Sequence, residues 1–270
     1  MKPATHILGI DIAKLKFDVN LRPLQSSDGR QAAAFNNDRK GFKALIKWLA
    51  KHLPEGLGQL HACMESTSRY GDNLAEFLHT QGCLVSMVNP RRTRAYASSQ
   101  LSRNRNDQID AMLIADFCGS ERHTLTVWEP LSPDHRQLRD LTRARQALVE
   151  EHDRFANMLE TATGVARPVF QKQLRQLKRQ IEQLDKAIAQ FVASVPVFKT
   201  QVALADSVPA VGIVTAATVI AELPPIDKVP QARQAVALFG LDPIKKTSGT
   251  SVDGPARISR MGSRRGRRAL

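Results

Sequence analysis

Short apolar runs of strand length alternate with stretches of helical spacing over the first ~120 residues, and this alternation constrains the fold more than any other feature. Residues 6–22 read as two strands, within HILGIDIA and LKFDVNLRP, and a third strand is expected near 31–36. Phe42, Leu45, Ile46 and Leu49 recur at helical spacing and predict an amphipathic helix over 39–52. LHACMES (60–66) reads as a buried strand, 70–80 as a helix, and CLVSMVNP (83–90) as a strand closed by Pro90. Together these elements predict an α/β layered domain with helices packed on a mixed sheet.

The texture then changes. From about 132 to 163 the chain is helix-like and highly charged, and Pro168 is expected to interrupt it. Leu174, Leu177, Ile181, Leu184 and Ile188 follow at spacings of 3, 4, 3 and 4. That is an a/d heptad seam, which either a helical hairpin or an intermolecular coiled coil would satisfy. SVPAVGIVTAATVIAEL (207–223) opens with a turn at Pro209 and Gly212 and looks like a helix-hairpin-helix, whose turn lets backbone N–H groups approach a phosphate. An ordinary helix start would look similar. KKTSGTSVDGPA (245–256) reads as a loop. Arg257, Arg260, Arg264, Arg265, Arg267 and Arg268 crowd the end with no acid among them. The chain stops at Leu270 with no capping signal or polar tail, so it is expected to be cut short of its natural end.

Charge narrows the partners. Lys and Arg number 39 against 26 Asp and Glu, a net charge of +13 in 270 residues. The sequence pI of about 10.1 is the electrostatic footprint of a nucleic-acid binder. Aromatics at 5% disfavour base-stacking platforms for single strands. No run of ~18 apolar residues is present, and the start lacks the layout of a signal peptide. Cys63, Cys83 and Cys118 are odd in number and far apart, which fits a reducing cytoplasm better than disulfides or zinc.

Four acids then stand out. Asp11 lies in an apolar strand, where an unpaired charge is costly. Glu65 ends a second one. Asp107 and Asp110 open a helix at i and i+3, where they share a face and the macrodipole favours negative charge. Each has an ordinary explanation: a satisfied strand-end carboxylate, a capping acid, an N-cap, a solvated first-turn acid. Gathered in one place, they would suit Mg2+, which prefers hard oxygen ligands. Two such ions roughly 3.5–4 Å apart can clamp the attacking and leaving oxygens of a phosphodiester exchange. Sugar kinases and actin-like ATPases also place an Asp in the first strand. They need a glycine and a hydroxyl residue after it, whereas Ile12, Ala13 and Lys14 follow here. GxxxxGK[ST] and GxGxxG are absent as well.

PRRTRAYASSQLSRNR (90–105) sets Arg91, Arg92, Arg94, Arg103 and Arg105 in a basic loop just before Asp107. This reads either as a solvated face or as a phosphate track with Tyr96 available to stack on a base. Arg257, Arg260, Arg264 and Arg265 invite the same reading near the chain end.

GIDIAKLKFDV, MEST around Glu65, VNPRR, NDQIDA (106–111), SVPAVG, ALFGLDP (237–243) and SGTSVDGPARISRMG (248–262) together resemble a group of bacterial insertion-sequence transposases. The group includes Piv-type invertases and bridge-RNA-guided recombinases. The resemblance runs over nearly the whole chain in order. It departs at Ser68 and Ala210, where glycine is usual, and at Asn106, where threonine is common.

The resemblance implies an RNase H-like (RuvC-like) α/β domain over 1–125, a helical coiled-coil hairpin over 130–195, and a mostly α-helical serine transposase domain over 197–270. It puts the DEDD acids on Asp11, Glu65, Asp107 and Asp110, as ligands of two Mg2+ ions. It puts a nucleophilic serine on Ser248, which the residues alone would not separate from Thr250 or Ser251. It implies donor and target DNA, a structured guide RNA, and a homo-oligomer (dimer or tetramer) in which the serine of one subunit completes the acidic site of another. A cytoplasmic, nucleoid-associated protein without membrane contact is expected. The rival expectations are a RuvC-like nuclease that does not rejoin, and an inactive nucleic-acid-binding remnant.

Overall fold

The computed structural model describes residues 4–26, 28–53, 55–66, 69–100, 106–229, 231–245, 247–248 and 252–270. The side chains of Arg69, Thr247, Ser248, Val252 and Asp253 lie outside that description. The chain divides into two compact units, Met1–Pro130 and Leu131–Leu270.

In the first unit, β1 (His6–Ile12), β2 (Lys16–Pro23) and β3 (Gln31–Asn36) precede helix α1 (Arg39–His52). Then come β4 (Leu60–Glu65), α2 (Asp72–Thr80), β5 (Leu84–Val88), α3 (Pro90–Ser99) and α4 (Asp107–Glu121). The strands form one mixed sheet in the order β3-β2-β1-β4-β5. β2 is antiparallel to both β1 and β3, while β1, β4 and β5 run parallel. The predicted α/β layering is what the residues build.

Strand alternation divides the core in two. Leu8, Ile10, Phe17, Val19, Leu21, Ala62 and Met64 turn to the face covered by α1 and α2. There Phe42, Leu45 and Leu49 of α1 supply the apolar stripe, and Asp38 starts that helix by accepting from the Gly41 amide at 2.7 Å. Ile7, Cys63 and Val88 turn to the other face and meet Ile114, Ala115, Phe117 and Cys118 of α4. That helix packs unusually close. A methyl group on Gly9 would overlap the Ala111 carbonyl and the Ala115 amide, so glycine is the residue that fits on the strand below.

The described part of 90–105 differs from the expected basic loop. Residues 90–99 form α3, with Pro90 at its first position and Asn89 accepting from the Arg91 amide at 2.9 Å. Proline there begins a helix instead of closing a strand, because its missing N–H falls where helical donors have no partner.

The second unit opens with α5 (Pro133–Thr161) and α6 (Ala166–Ser194), which pack along each other as a hairpin. Leu177 and Ile188 of the heptad seam are buried, and Leu174, Ile181 and Leu184 are half-buried. The break between the helices falls at 162–165, where Gly164 takes a φ of 56°, and not at Pro168. Pro168 sits in the first turn of α6, where its missing N–H costs no bond.

After the hairpin come α7 (Pro196–Asp206), α8 (Ile213–Glu222) and α9 (Ala232–Phe239). The turn between α7 and α8 holds Ala210 at a φ of 70°, a left-handed conformation that suits glycine better. The described parts of 245–256 are not a plain loop. β7 (Thr247–Ser248) pairs with β8 (Val252–Asp253), while the flanking β6 (Pro243–Ile244) and β9 (Arg257–Ile258) pair with each other. Helix α10 (Arg264–Ala269) closes the chain. Its start is anchored on the buried Glu222, whose oxygens accept from Arg143 at 2.7 and 3.2 Å and from Ser263 at 3.0 Å. Burial pushes the Glu222 carboxyl up, but the Arg143 and Ser263 bonds outweigh it and leave the group below its usual range. No single helix among the described residues is long and apolar enough to cross a membrane.

Candidate active site

Neighbouring parallel strands deliver the first two acids to one edge. Ile10 lies opposite Met64, so Asp11 and Glu65, one residue on, project from adjacent strand ends toward the same face. The third acid comes from α4. Asn106 caps that helix by accepting from the Ile109 amide at 2.8 Å. The close approach at Gly9 then brings the first turn of α4 near the end of β1.

Asp11, Glu65 and Asp110 line a single cavity of about 120 Å3, together with Thr93, Arg94, Ala97, Leu113 and Ile114. Burial raises the Asp11 carboxyl to about 6, and the nearby charges of Asp110, Asp107, Glu65 and Asp18 push in the same direction. An acid displaced this way by burial and by like charges belongs to a site that gathers negative charge.

Asp107 points elsewhere. Its Oδ2 accepts from Lys16 Nζ at 2.6 Å, and that hydrogen bond holds its exposed carboxyl below the usual range. The same ammonium lies 3.3 Å from Asp18, which pairs in register with Asp11. Three of the four predicted acids therefore share the cavity, and the fourth flanks it on a lysine. Glu65 is held as well. The buried Thr93 hydroxyl lies 2.5 Å from Glu65 Oε1 and 3.0 Å from the Pro90 carbonyl.

The donor set is chemically suited to a hard divalent cation, since carboxylate oxygens are its preferred ligands and a cation would relieve the repulsion felt by Asp11. Among the described residues, no three His, Cys, Asp or Glu side chains close on one point as metal ligands do. Beneath α4, Cys63 is buried against Cys118. Its thiol is pushed well up by the hydrogen bond with Cys118 and by burial.

The predicted arginines are dispersed. Arg94 lines the acidic cavity. Arg92 pairs with Glu121 at 3.1 Å and lies 5.2 Å from the Phe117 ring centre, while Arg91 is exposed. Tyr96 is half-buried and packs edge-on against Phe117 with ring centres 5.8 Å apart. Arg103 and Arg105 lie outside the described residues, as do Thr250 and Ser251. In the second unit, Arg257, Arg260, Arg264 and Arg265 are exposed. Arg268 is tied to Glu150 at 2.8 Å and Asp153 at 3.0 Å. The Ser248 backbone lies in β7 opposite Val252, and its side chain is outside the description.

Residues 8–163 match a family of DEDD type described as transposase, and 202–270 match the transposase IS116/IS110/IS902 family. The chain belongs to the IS110 family of transposases. It is also similar to a pilin gene-inverting protein of Moraxella bovis, 28% identical over 268 residues that cover 97% of this chain and 80% of the relative. The pilin gene-inverting protein of Moraxella lacunata matches with the same identity and coverage. A DEDD transposase domain implies dependence on a divalent metal, and a transposase implies a DNA substrate.

Sequence reasoning missed three residues that the structure sets against these acids: Asp18, Lys16 and Thr93. Asp18 was within reach, because alternation in β2 sends Phe17 and Val19 to one face and Asp18 to the face of Asp11. Thr93 is one turn into a helix that reads as a loop. Nothing local connects Lys16 to Asp107, which is 91 residues away.

Proposed function

We propose that this IS110 transposase recombines DNA by magnesium-dependent phosphoryl transfer, with Asp11, Glu65, Asp107 and Asp110 as its acidic centre and Ser248 as its nucleophile. The observation that carries the reading is the cavity shared by Asp11, Glu65 and Asp110, with the Asp11 carboxyl raised to about 6. The mixed sheet with α4 across its face suits an RNase H-like domain over 1–125. A linker over 130–195 and a serine-bearing domain over 197–270 complete the proposed organisation.

Bound magnesium would neutralise charge on the scissile phosphate. Thr93 fixes the Glu65 carboxylate, and Arg94 offers a guanidinium to a phosphate oxygen at the cavity wall. Lys16 steadies Asp107 until substrate arrives. Ser248 Oγ forms a bond to phosphorus as the bond to one DNA oxygen breaks, and the serine proton ends on the departing DNA hydroxyl. The phosphodiester count is unchanged, so rejoining needs no ATP. Arg91, Arg92, Arg103, Arg105, Arg257, Arg260, Arg264 and Arg265 would contact backbone phosphates. A structured guide RNA and a dimer or tetramer in which subunits share acids and serine belong to the same proposal.

The test is Ser248→Ala with donor and target DNA and Mg2+. Wild type should give a covalent protein–DNA adduct that disappears with the variant or with chelator. Cleavage that persists in the variant without an adduct would replace recombination by simple nuclease action. No adduct and no cleavage from wild type would leave only nucleic-acid binding.

A further inference from the structure

The outer face of α6 carries a row of cations that the acidic centre does not use. Lys172, Arg175, Gln176, Arg179, Gln180 and Gln183 line a groove of about 380 Å3. Their spacing places them on one helix face, roughly opposite the seam of Leu177 and Ile188 that packs on α5. Lys186 continues the row, which then runs about 21 Å at 1.5 Å per residue. The helix holds six Lys or Arg against two acids, Glu182 and Asp185. Asp185 is taken by Arg145 at 2.6 Å.

Several other cations of the hairpin have partners. Arg143 pairs with Glu222, Arg145 with Asp185 and Arg154 with Glu151. Lys172, Arg175 and Arg179 are exposed, and no hydrogen bond or ion pair reaches them from the described residues. The stretch also lies outside both family matches, which end at 163 and resume at 202.

We infer that this face is a docking site for the phosphate backbone of duplex DNA. Self-association through it would set cation against cation in a symmetric dimer, which is unfavourable. No aromatic side chain lies between Lys172 and Lys186, so an unstacked single strand finds nothing to stack on. Arginine and lysine supply charge-assisted bonds to phosphate oxygens, and the interleaved glutamines add neutral ones. The contact is sequence-independent and uses none of the residues of the acidic centre. It rests on the reading that this chain acts on DNA.

The test is the salt dependence of binding by the full chain to a random-sequence DNA duplex, with an RNA duplex alongside. K172Q/R175Q/R179Q should flatten the slope of log affinity against log salt by about 2–3, at roughly 0.9 per lost phosphate contact. A charge-matched control, K43Q/K47Q/K51Q on the exposed side of α1, should change it by less than about 1. Glutamine keeps the helices, and circular dichroism verifies the fold. An unchanged DNA slope in the α6 variant, an equal effect from the control, or a loss confined to RNA would overturn the inference. Absence of DNA binding by wild type would overturn this and the proposed function together. DNA binding by wild type with an unaltered α6 variant would overturn this inference alone.

Discussion

Replacing Asp11 with asparagine should make the protein more stable at neutral pH while abolishing its chemistry. The folded Asp11 carboxyl titrates near 6 against 3.8 when unperturbed, so between those values the native state holds a proton that the unfolded chain has released. Stability therefore falls as pH rises through this window and stays lower above it. About two units at 1.36 kcal/mol each set a ceiling of about 3 kcal/mol. Asp11 is only half-buried, and solvent screening brings the expected gain from Asp11→Asn to about 1–2 kcal/mol. In a unit of this size, that raises the melting temperature by roughly 3–6 °C. The assay is thermal unfolding by circular dichroism with chelator present at pH 8, repeated near pH 5 and pH 4. The margin should halve near pH 5 and vanish near pH 4. A variant no more stable than wild type at pH 8, or a margin that grows on acidification, would refute the claim that burial and the neighbouring carboxylates raise Asp11.

Two other changes probe the same centre. Gly9→Ala should destabilise the first unit by about 1–3 kcal/mol in urea unfolding, because the new methyl group meets backbone of α4 that cannot step aside; wild-type stability with full activity would show that the close crossing is not needed. Thr93→Val should slow magnesium-dependent strand cleavage by about 10–100-fold while moving stability by about 1 kcal/mol, and Thr93→Ser should restore the rate. Equal rates for the valine and threonine proteins would remove Thr93 from any positioning role.

The α/β half was readable because its signals are periodic. β1, β2, β3 and α1 fall within a residue or two of where alternation and helical spacing place them. The hairpin was readable for the same reason, although the proline at 168 masked the true break at Gly164. Helix α3 was not readable from periodicity, since its exposed arginines and serines hide a stripe of only two buried residues, Thr93 and Ala97. Its start signal was present in Asn89 followed by Pro90, and was read as the end of a strand. Asp11, Glu65 and Asp110 stand out in the sequence as isolated charges in apolar or capping contexts, and folding brings them to one cavity. The diversion of Asp107 onto Lys16 depends on a contact across 91 residues, which no local pattern encodes.

Lys16 has a consequence for the order of events. Its ammonium occupies the gap between Asp18 and Asp107, so the rim of the acidic end is balanced by the chain itself as soon as the sheet and α4 come together. In the acidic centre proposed above, taking Asp107 as a ligand would mean parting it from Lys16, a small cost for a pair that stands in solvent.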